Sequence, residues 1–508
     1  MFGISKNKHN MLNPDVSPTV GITAKEVAKG ISEKQFIELE LLRWKKSPQR
    51  NFMLEGERYY QGEHDILARK RTVIGKDGKL QEVDNLPNNK IIDNQYAKMV
   101  DQKVNYLLGQ PLTFDTEDSA YENALSEIFN KRFHRTLKNM GENSLNCGIA
   151  WLYPYYDEAG DFRFKRFEPY EILPFWKDAE HTILDFAVRL YQVEQYQGIV
   201  YTIIEKAEVY YPDRIERYTF EDGVLISDSE QPTSDYITFE DESGTEQGYN
   251  WGKVPLIPFK YNNREIPLIR KVKSLQDGIN TMLSDFENNM QEDSRNTILI
   301  IKNYDGTNLA EFRHNLATFG AVKVKTIDGS EGGVDALQVE VNAENYKAIL
   351  EVFKKALIEN AMGYDAKDDR LAGNPNQMNI QSMYSDIDLD ANGMETEFQA
   401  SFEELLWFVH IYLVNAGKGD FTNSEVNIIF NRDIMMNETE VIDNCSKSVG
   451  ILSDETIVSQ HPWVTDVKQE LQRKKDEKEE AIDEYANAFN PINPAAGSGS
   501  EGGDGDEE

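Results

Sequence analysis

Cysteine is nearly missing from this chain of 508 residues: Cys147 and Cys445 are the only two. Two thiols exclude a disulfide scaffold and a Cys-rich zinc module. They match a reducing compartment, where folding does not lean on cross-links. Positive charge is also scarce. Lys and Arg number 54 against 88 Asp and Glu, a net charge of −34, which argues against broad gripping of nucleic acid, since phosphate binding needs clustered cations. No run of 18 apolar residues occurs, and the opening MFGISKNKHN lacks the apolar core of a signal peptide. The expectation is a soluble, intracellular, acidic protein.

The usual signatures of catalysis are missing as well. The chain contains no GxxxxGK[ST], HExxH, CxxC or GxSxG. Its seven histidines (9, 64, 134, 181, 314, 410 and 461) are scattered, with no pair at i, i+4 to hold a metal. Neither an enzyme nor a resident cofactor or metal is expected. What is present is apolar material for real cores, 40% hydrophobic with 11% aromatic. At roughly 150 residues per domain, the length predicts three or four compact units.

Along the chain, residues 1 to 30 are polar and predict a flexible N-terminal arm. A helical pattern runs from Ser32 through Trp44, with Pro48 closing it, and Gly75-Lys76-Asp77-Gly78 reads as a hairpin tip. The spacing of Ile92, Met99, Val100, Val104, Leu107 and Leu108 predicts a helix over 89–108, capped by Asn88 and ended by Gly109 and Pro111. A second helix is expected over 119–147. The runs 151–153, 183–191 and 199–204 read as strands of a β-rich region ending near Phe259.

Beyond Pro267, the positions Leu268, Val272, Leu275, Ile279, Met282, Leu283, Phe286 and Met290 predict a helix over 267–296. At ~1.5 Å per residue it would be roughly 45 Å long. Strands at 297–301, 321–325 and 337–341 and a short helix at 309–318 make a compact α/β insert. A second long helix over 343–362 follows. The insert thus reads as a head on a helical stalk. Gly373, Asn374 and Pro375 make 363–377 a loop, 378–415 a third long helix, 424–430 a strand and 438–488 helical. The last residues hold five acids and no base with Gly, Ser and Pro, a composition that cannot order itself.

Asp386, Asp388, Asp390, Asn392 and Glu397 mimic the ligand spacing of a calcium loop, but Ala391 stands where that loop needs Gly. The flanking apolar pattern continues as helix, so an acidic helix face is the expectation. Cys147 reads as a small buried hydrophobe rather than a nucleophile. Arg264, Arg270, Lys271 and Lys273 gather at the start of the first long helix, with Asp277, Asp285, Glu287, Glu292 and Asp293 beyond. That order opposes the helix dipole. Two readings stay open, a solvated face or a positive end turned toward a negative partner.

Several stretches resemble tailed-phage portal proteins of the siphophage type. They are Tyr59-Tyr60-Gln61-Gly62-Glu63-His64 with Arg69-Lys70-Arg71, Leu86-Pro87-Asn88-Asn89-Lys90, and the run from Lys98 to Pro111. Pro258-Phe259-Lys260, Lys302-Asn303-Tyr304-Asp305-Gly306, Gly332-Gly333-Val334-Asp335 and Gly417-Lys418-Gly419-Asp420-Phe421 follow in order. The matches run from about residue 35 to 470. The resemblance implies an α+β portal fold: a β-rich wing (31–265), a two-helix stem (266–297 and 342–362) and a small α/β clip (298–341). It further implies a tunnel loop (363–377), a long tunnel helix returning to the wing (378–437), an α-helical crown (438–488) and an acidic tail (489–508).

The resemblance also implies a dodecameric ring at one capsid vertex, in the virion and assembled in the host cytoplasm. Double-stranded DNA would pass through it transiently and without sequence specificity. Partners would be the terminase large subunit, capsid and scaffolding proteins, and a neck or adaptor protein, with no membrane. Lys367, Arg370, Asn374 and Gln377 are the candidate DNA contacts of the tunnel loop, and Arg264, Arg270, Lys271 and Lys273 a basic cluster of the stem. The lack of a nucleotide motif implies that a separate ATPase drives packaging. The alternatives are another virion structural protein (capsid or baseplate) and a metal-dependent hydrolase built on the carboxylates of 386–397.

Overall fold

A computed structural model describes residues 31–75, 78–84, 86–197, 200–240, 246–293, 298–302, 333–337, 343–366, 377–432, 438–464 and 467–488. The predicted arm, the turn at 76–77, the clip elements 309–318 and 321–325, and the acidic tail lie outside the described residues. The architecture mixes helix and sheet, as an α+β chain should.

In chain order the elements begin with α1 (Glu33–Lys45), α2 (Pro48–Tyr60), β1 (Thr72–Ile74), β2 (Leu80–Glu82), α3 (Gln95–Leu108), β3 (Thr113–Asp115), α4 (Ser119–Ile128) and α5 (Lys131–Cys147). Strands then dominate: β4 (Ile149–Tyr156), β5 (Phe162–Phe167), β6 (Ile172–Trp176), β7 (Leu184–Gln197), β8 (Val200–Tyr210), β9 (Ile215–Glu221), β10 (Val224–Ser227), β11 (Thr233–Ser234), β12 (Ile237–Glu240), β13 (Glu246–Tyr249) and β14 (Ile257–Lys260). Next come α6 (Ile269–Asp293), β15 (Ile298–Lys302), β16 (Gly333–Leu337), α7 (Ala343–Asn360), α8 (Gln377–Asn415) and β17 (Asn427–Ile429). Helices α9 (Glu438–Ser448), α10 (Asp454–Ser459) and α11 (Val467–Ala488) close the described chain.

Two compact units result, one of Met1–Asp365 with Tyr384–Asp433, the other of Ala366–Met383 with Ile434–Glu508. In the first, an antiparallel sheet runs β10-β9-β8-β7-β6, with β11 also on β9, and a second runs β14-β4-β5. Ile37, Leu41 and Trp44 of α1 and Met53 of α2 share one buried cluster with Trp151, Trp176 and Phe186 of the strands. A second core is aromatic. Phe259 packs edge-on against Phe398 and Phe402 of α8, and Phe402 against Phe430, with ring centroids 5.1, 5.6 and 6.0 Å apart.

Local chemistry explains several boundaries, and some differ from the sequence expectation. Ser32 forms a capping box with Gln35. Pro48 does more than close α1: Ser47 caps a new helix whose first residue is Pro48. The stretch 119–147 is two helices, because Asn130 turns its side chain onto the Arg132 and Phe133 amides and starts α5 afresh. Helix α3 begins at Gln95, six residues later than expected, with Asn94 as its cap. Of the strand expected at 337–341, Leu337 ends β16 and 338–341 lie outside the described residues, while the strand expected at 424–430 is the shorter β17.

Gly148 ends α5 at φ +85°, and a Cβ there would stand 2.1 Å from the Glu265 carbonyl oxygen, so only glycine fits. The neighbouring Cys147 is fully buried. Burial, together with the facing Glu57 carboxylate, pushes its thiol well above the ordinary range. That keeps it protonated and unreactive.

Candidate functional site

The long helices α6 and α7 lie antiparallel. A Cβ on Gly278 would come 2.9 Å from the Phe353 ring. Phe286 and Tyr346 pack at 5.1 Å between centroids, and Asn289 donates to the Tyr346 hydroxyl at 2.9 Å. Between their distal halves lies an apolar cavity of about 180 Å3, lined by Met282, Leu283, Phe286, Tyr346 and Leu350 among others. Strands β15 and β16, which fall between these helices in the chain, pair antiparallel from Ile298–Leu337 to Lys302–Gly333.

One face of α6 is polar yet buried. Gln276, Asn280, Ser284 and Asn288 recur every four residues and are all fully buried. Each accepts a backbone N–H from the segment that enters α3: Asn89 donates to Asn288 Oδ1 at 2.8 Å and Ile91 to Ser284 Oγ at 2.9 Å. Asp93 donates to Asn280 Oδ1 at 3.1 Å and Tyr96 to Gln276 Oε1 at 2.9 Å. The spacings match over the first three rungs, since four helical residues rise ~6 Å and two residues of extended chain span ~6.6 Å; the last step, from Asp93 to Tyr96, takes three residues and enters α3. In a helix begun at residue 89 the Asp93 N–H would turn to the Asn89 carbonyl; Asn280 accepts it instead, and Gln276 accepts the Tyr96 N–H, a first-turn amide of the helix that starts at Gln95. Lys354 of α7 also reaches this segment, 2.6 Å from Asp93.

At the far end of α7, helix α3 holds the chain again. The Gln102 amide donates to the Tyr364 carbonyl at 2.9 Å and accepts its N–H at 3.0 Å. Lys103, only 3% exposed in its side chain, donates to the Met362 carbonyl at 3.0 Å and pairs with Asp390 of α8 at 2.7 Å. Burial lowers the Lys103 pKa and the Asp390 charge opposes that shift. Tyr261 donates to the same carboxylate. The acidic series in α8 is therefore split among partners: Asp390 serves Lys103, while Asp388, Asn392 and Glu395 meet Arg432, and Tyr106 donates to Asp388. On a continuous helix these carboxylates diverge as expected and do not form a loop around one ion.

Of the predicted tunnel-loop contacts, Lys367, Arg370 and Asn374 lie outside the described residues, and Gln377 opens α8. Of the basic cluster, Arg264 is exposed in the turn before α6. The Arg270 guanidinium lies 4.3 Å above the Phe52 ring. Lys271 stands 3.7 Å from Asp390, and Lys273 lies 2.5 Å from Asp65 and 2.8 Å from Asp277. Three of the four thus have partners within the chain. Residues not singled out from sequence are the buried ladder on α6, Gln102 and Lys103. The ladder had a signal: polar residues at four-residue spacing on a helix otherwise patterned for burial.

The family model for "Phage portal protein, SPP1 Gp6-like" matches residues 45–484. The chain is 31% identical over 464 residues to the portal protein of Bacillus phage SPP1, covering 91% of this chain and 89% of that one. It is 28% identical over 459 residues to the portal protein of Clostridium phage phiCD119, covering 86% and 96% respectively. With the paired long helices and the strands they bracket already described, the conclusion is that this chain belongs to the SPP1 Gp6-like family of phage portal proteins.

Proposed function

We propose that copies of this chain assemble into a ring, a dodecamer, at one capsid vertex, and that DNA enters and leaves the head through its bore. The observation that carries this reading is the antiparallel pair α6–α7 with the β15–β16 pair between them in sequence. Two rods bracketing a small head form a module that can repeat around an axis. In this reading α6 and α7 are the stem and 298–341 the clip. The clip receives the terminase large subunit during packaging and a neck or adaptor protein afterwards. The β-rich region is the wing, and 438–488 is the crown; capsid and scaffolding proteins meet the ring's outer surface.

The charge supports a conduit. DNA carries one phosphate per ~1.7 Å, and roughly 6–10 cationic contacts bind it tightly. A chain with net charge −34 repels phosphates, while sparse cations in the loop 363–377, Lys367 and Arg370 with Asn374 and Gln377, touch the backbone only in passing. Native mass spectrometry and negative-stain images of the purified protein test the ring; closed rings with an axial hole are expected, and a compact monomer overturns the reading. Within assembled rings, Lys367→Ala with Arg370→Ala is expected to reduce DNA packaging or retention. Wild-type values for both would remove the loop from the DNA path while leaving the ring intact.

A further inference from the structure

We propose that the segment Asn89–Lys103 is a tie that couples the axial position of α6 to the junction between α7 and α8. One end is the ladder, in which Asn288, Ser284, Asn280 and Gln276 accept the amides of residues 89, 91, 93 and 96. Gln276 also donates to the Asp93 carbonyl at 2.8 Å, so that rung is held from both sides. The other end is the grip of Gln102 on both backbone groups of Tyr364 and of Lys103 on Met362 and Asp390. Between the ends the tie is a continuous helix, with Tyr96, Met99, Val100 and Lys103 buried.

The ladder resists partial slip. A buried amide without an acceptor carries its full desolvation penalty, and the four acceptors stand at one four-residue spacing on α6, so a shift of less than a helical turn would break all of the rungs together. The segment therefore follows α6 as a unit. Direct packing of α6 on α7 is a parallel route, opened at one place by the apolar cavity around Met282, Phe286 and Leu350. The Asp93–Lys354 pair adds a link from the tie to α7 itself. The tie is a property of one chain and rests on neither a ring nor bound DNA.

Residue-level hydrogen exchange on the full chain tests it. In Asn280→Leu with Asn288→Leu, the amides of residues 89 and 93 are expected to exchange at least tenfold faster. The Tyr364 amide, whose acceptor Gln102 is untouched, is expected to accelerate with them. Reciprocally, Gln102→Leu is expected to speed exchange at 89 and 93, since coupling free energies are mutual. Amides of the β7–β8 pair serve as the control for global loosening. Normal protection at Tyr364 while 89 and 93 lose theirs would overturn the tie. If the double variant does not fold, Ser284→Ala, which removes one rung, is read at Ile91 and Tyr364 with the same two outcomes.

Discussion

His64 shows how much a single residue commits to the buried ladder. Asn280 Oδ1 accepts the Asp93 N–H, so its Nδ2 faces His64 Nδ1 at 2.7 Å and can only donate. The other ring nitrogen lies 3.0 Å from the Tyr59 carbonyl oxygen, which can only accept. The imidazole is therefore neutral, with its proton on Nε2. Burial lowers its pKa from the ordinary 6.5, against the pull of the Tyr59 carbonyl and Asp277 and with the push of Arg58. A base whose pKa is lowered on folding binds fewer protons folded than unfolded. Its contribution is fully present above about pH 6.5 and is lost as pH falls through the lowered value. Protonation would set an N–H against the Asn280 amide hydrogens. The stability gap between wild type and His64→Gln, from urea midpoints between pH 5 and 8, is expected to shrink on the acid side. A gap independent of pH would refute this assignment.

At the scale of elements, the end of α7 is built from two residues with opposite demands. Met362 sits at φ +53°, its N–H bonded to the Glu359 carbonyl, and Gly363 N–H reaches back to Ile358, the 5→2 and 6→1 bonds of a Schellman cap. A side chain in that left-handed position costs ~1–2 kcal/mol. Glycine is nevertheless needed one residue later, where a Cβ would lie 2.7 Å from Met99 Sδ and 2.9 Å from Gln102 Oε1. Met362→Gly is expected to raise the melting temperature slightly, a gain of ~0.5–1 kcal/mol after the entropy of an added glycine. Gly363→Ala is expected to lower the melting temperature through a loss of ~1–3 kcal/mol of stability, as overpacking does. A neutral Gly363→Ala would mean that Gln102 is not held where it appears. These details also mark where the sequence stops being readable. The apolar spacing of Leu268 to Met290 announces α6, and Ser32 and Gly148 announce their boundaries, because each signal is local. The late start of α3 was not legible, since it depends on acceptors some 190 residues away at Asn280 and Ser284. The loop root was equally hidden, because Gln102 is an ordinary surface residue until Tyr364 is brought beside it.

For the whole molecule, the deciding quantity is charge. Each copy carries −34, so bringing copies side by side sums repulsion that low ionic strength leaves unscreened. Within one chain, favourable pairs such as Lys45–Glu205 and Lys103–Asp390 offset it locally, but the 88 acids outnumber the 54 cations. Screening lengths fall from ~30 Å at 0.01 M salt to ~8 Å at 0.15 M. Salt then removes long-range repulsion between copies while leaving the packing of apolar faces, among them exposed Ile349 and Val352 on α7, untouched. Rings are therefore expected to form more completely at 0.3–0.5 M NaCl than at 0.02 M, measured by light scattering on separated oligomers. The opposite trend, rings that dissociate as salt rises, would mean that complementary ion pairs between copies outweigh the net charge. In that case Arg264, exposed in the turn before α6, would be the first residue to place at the interface.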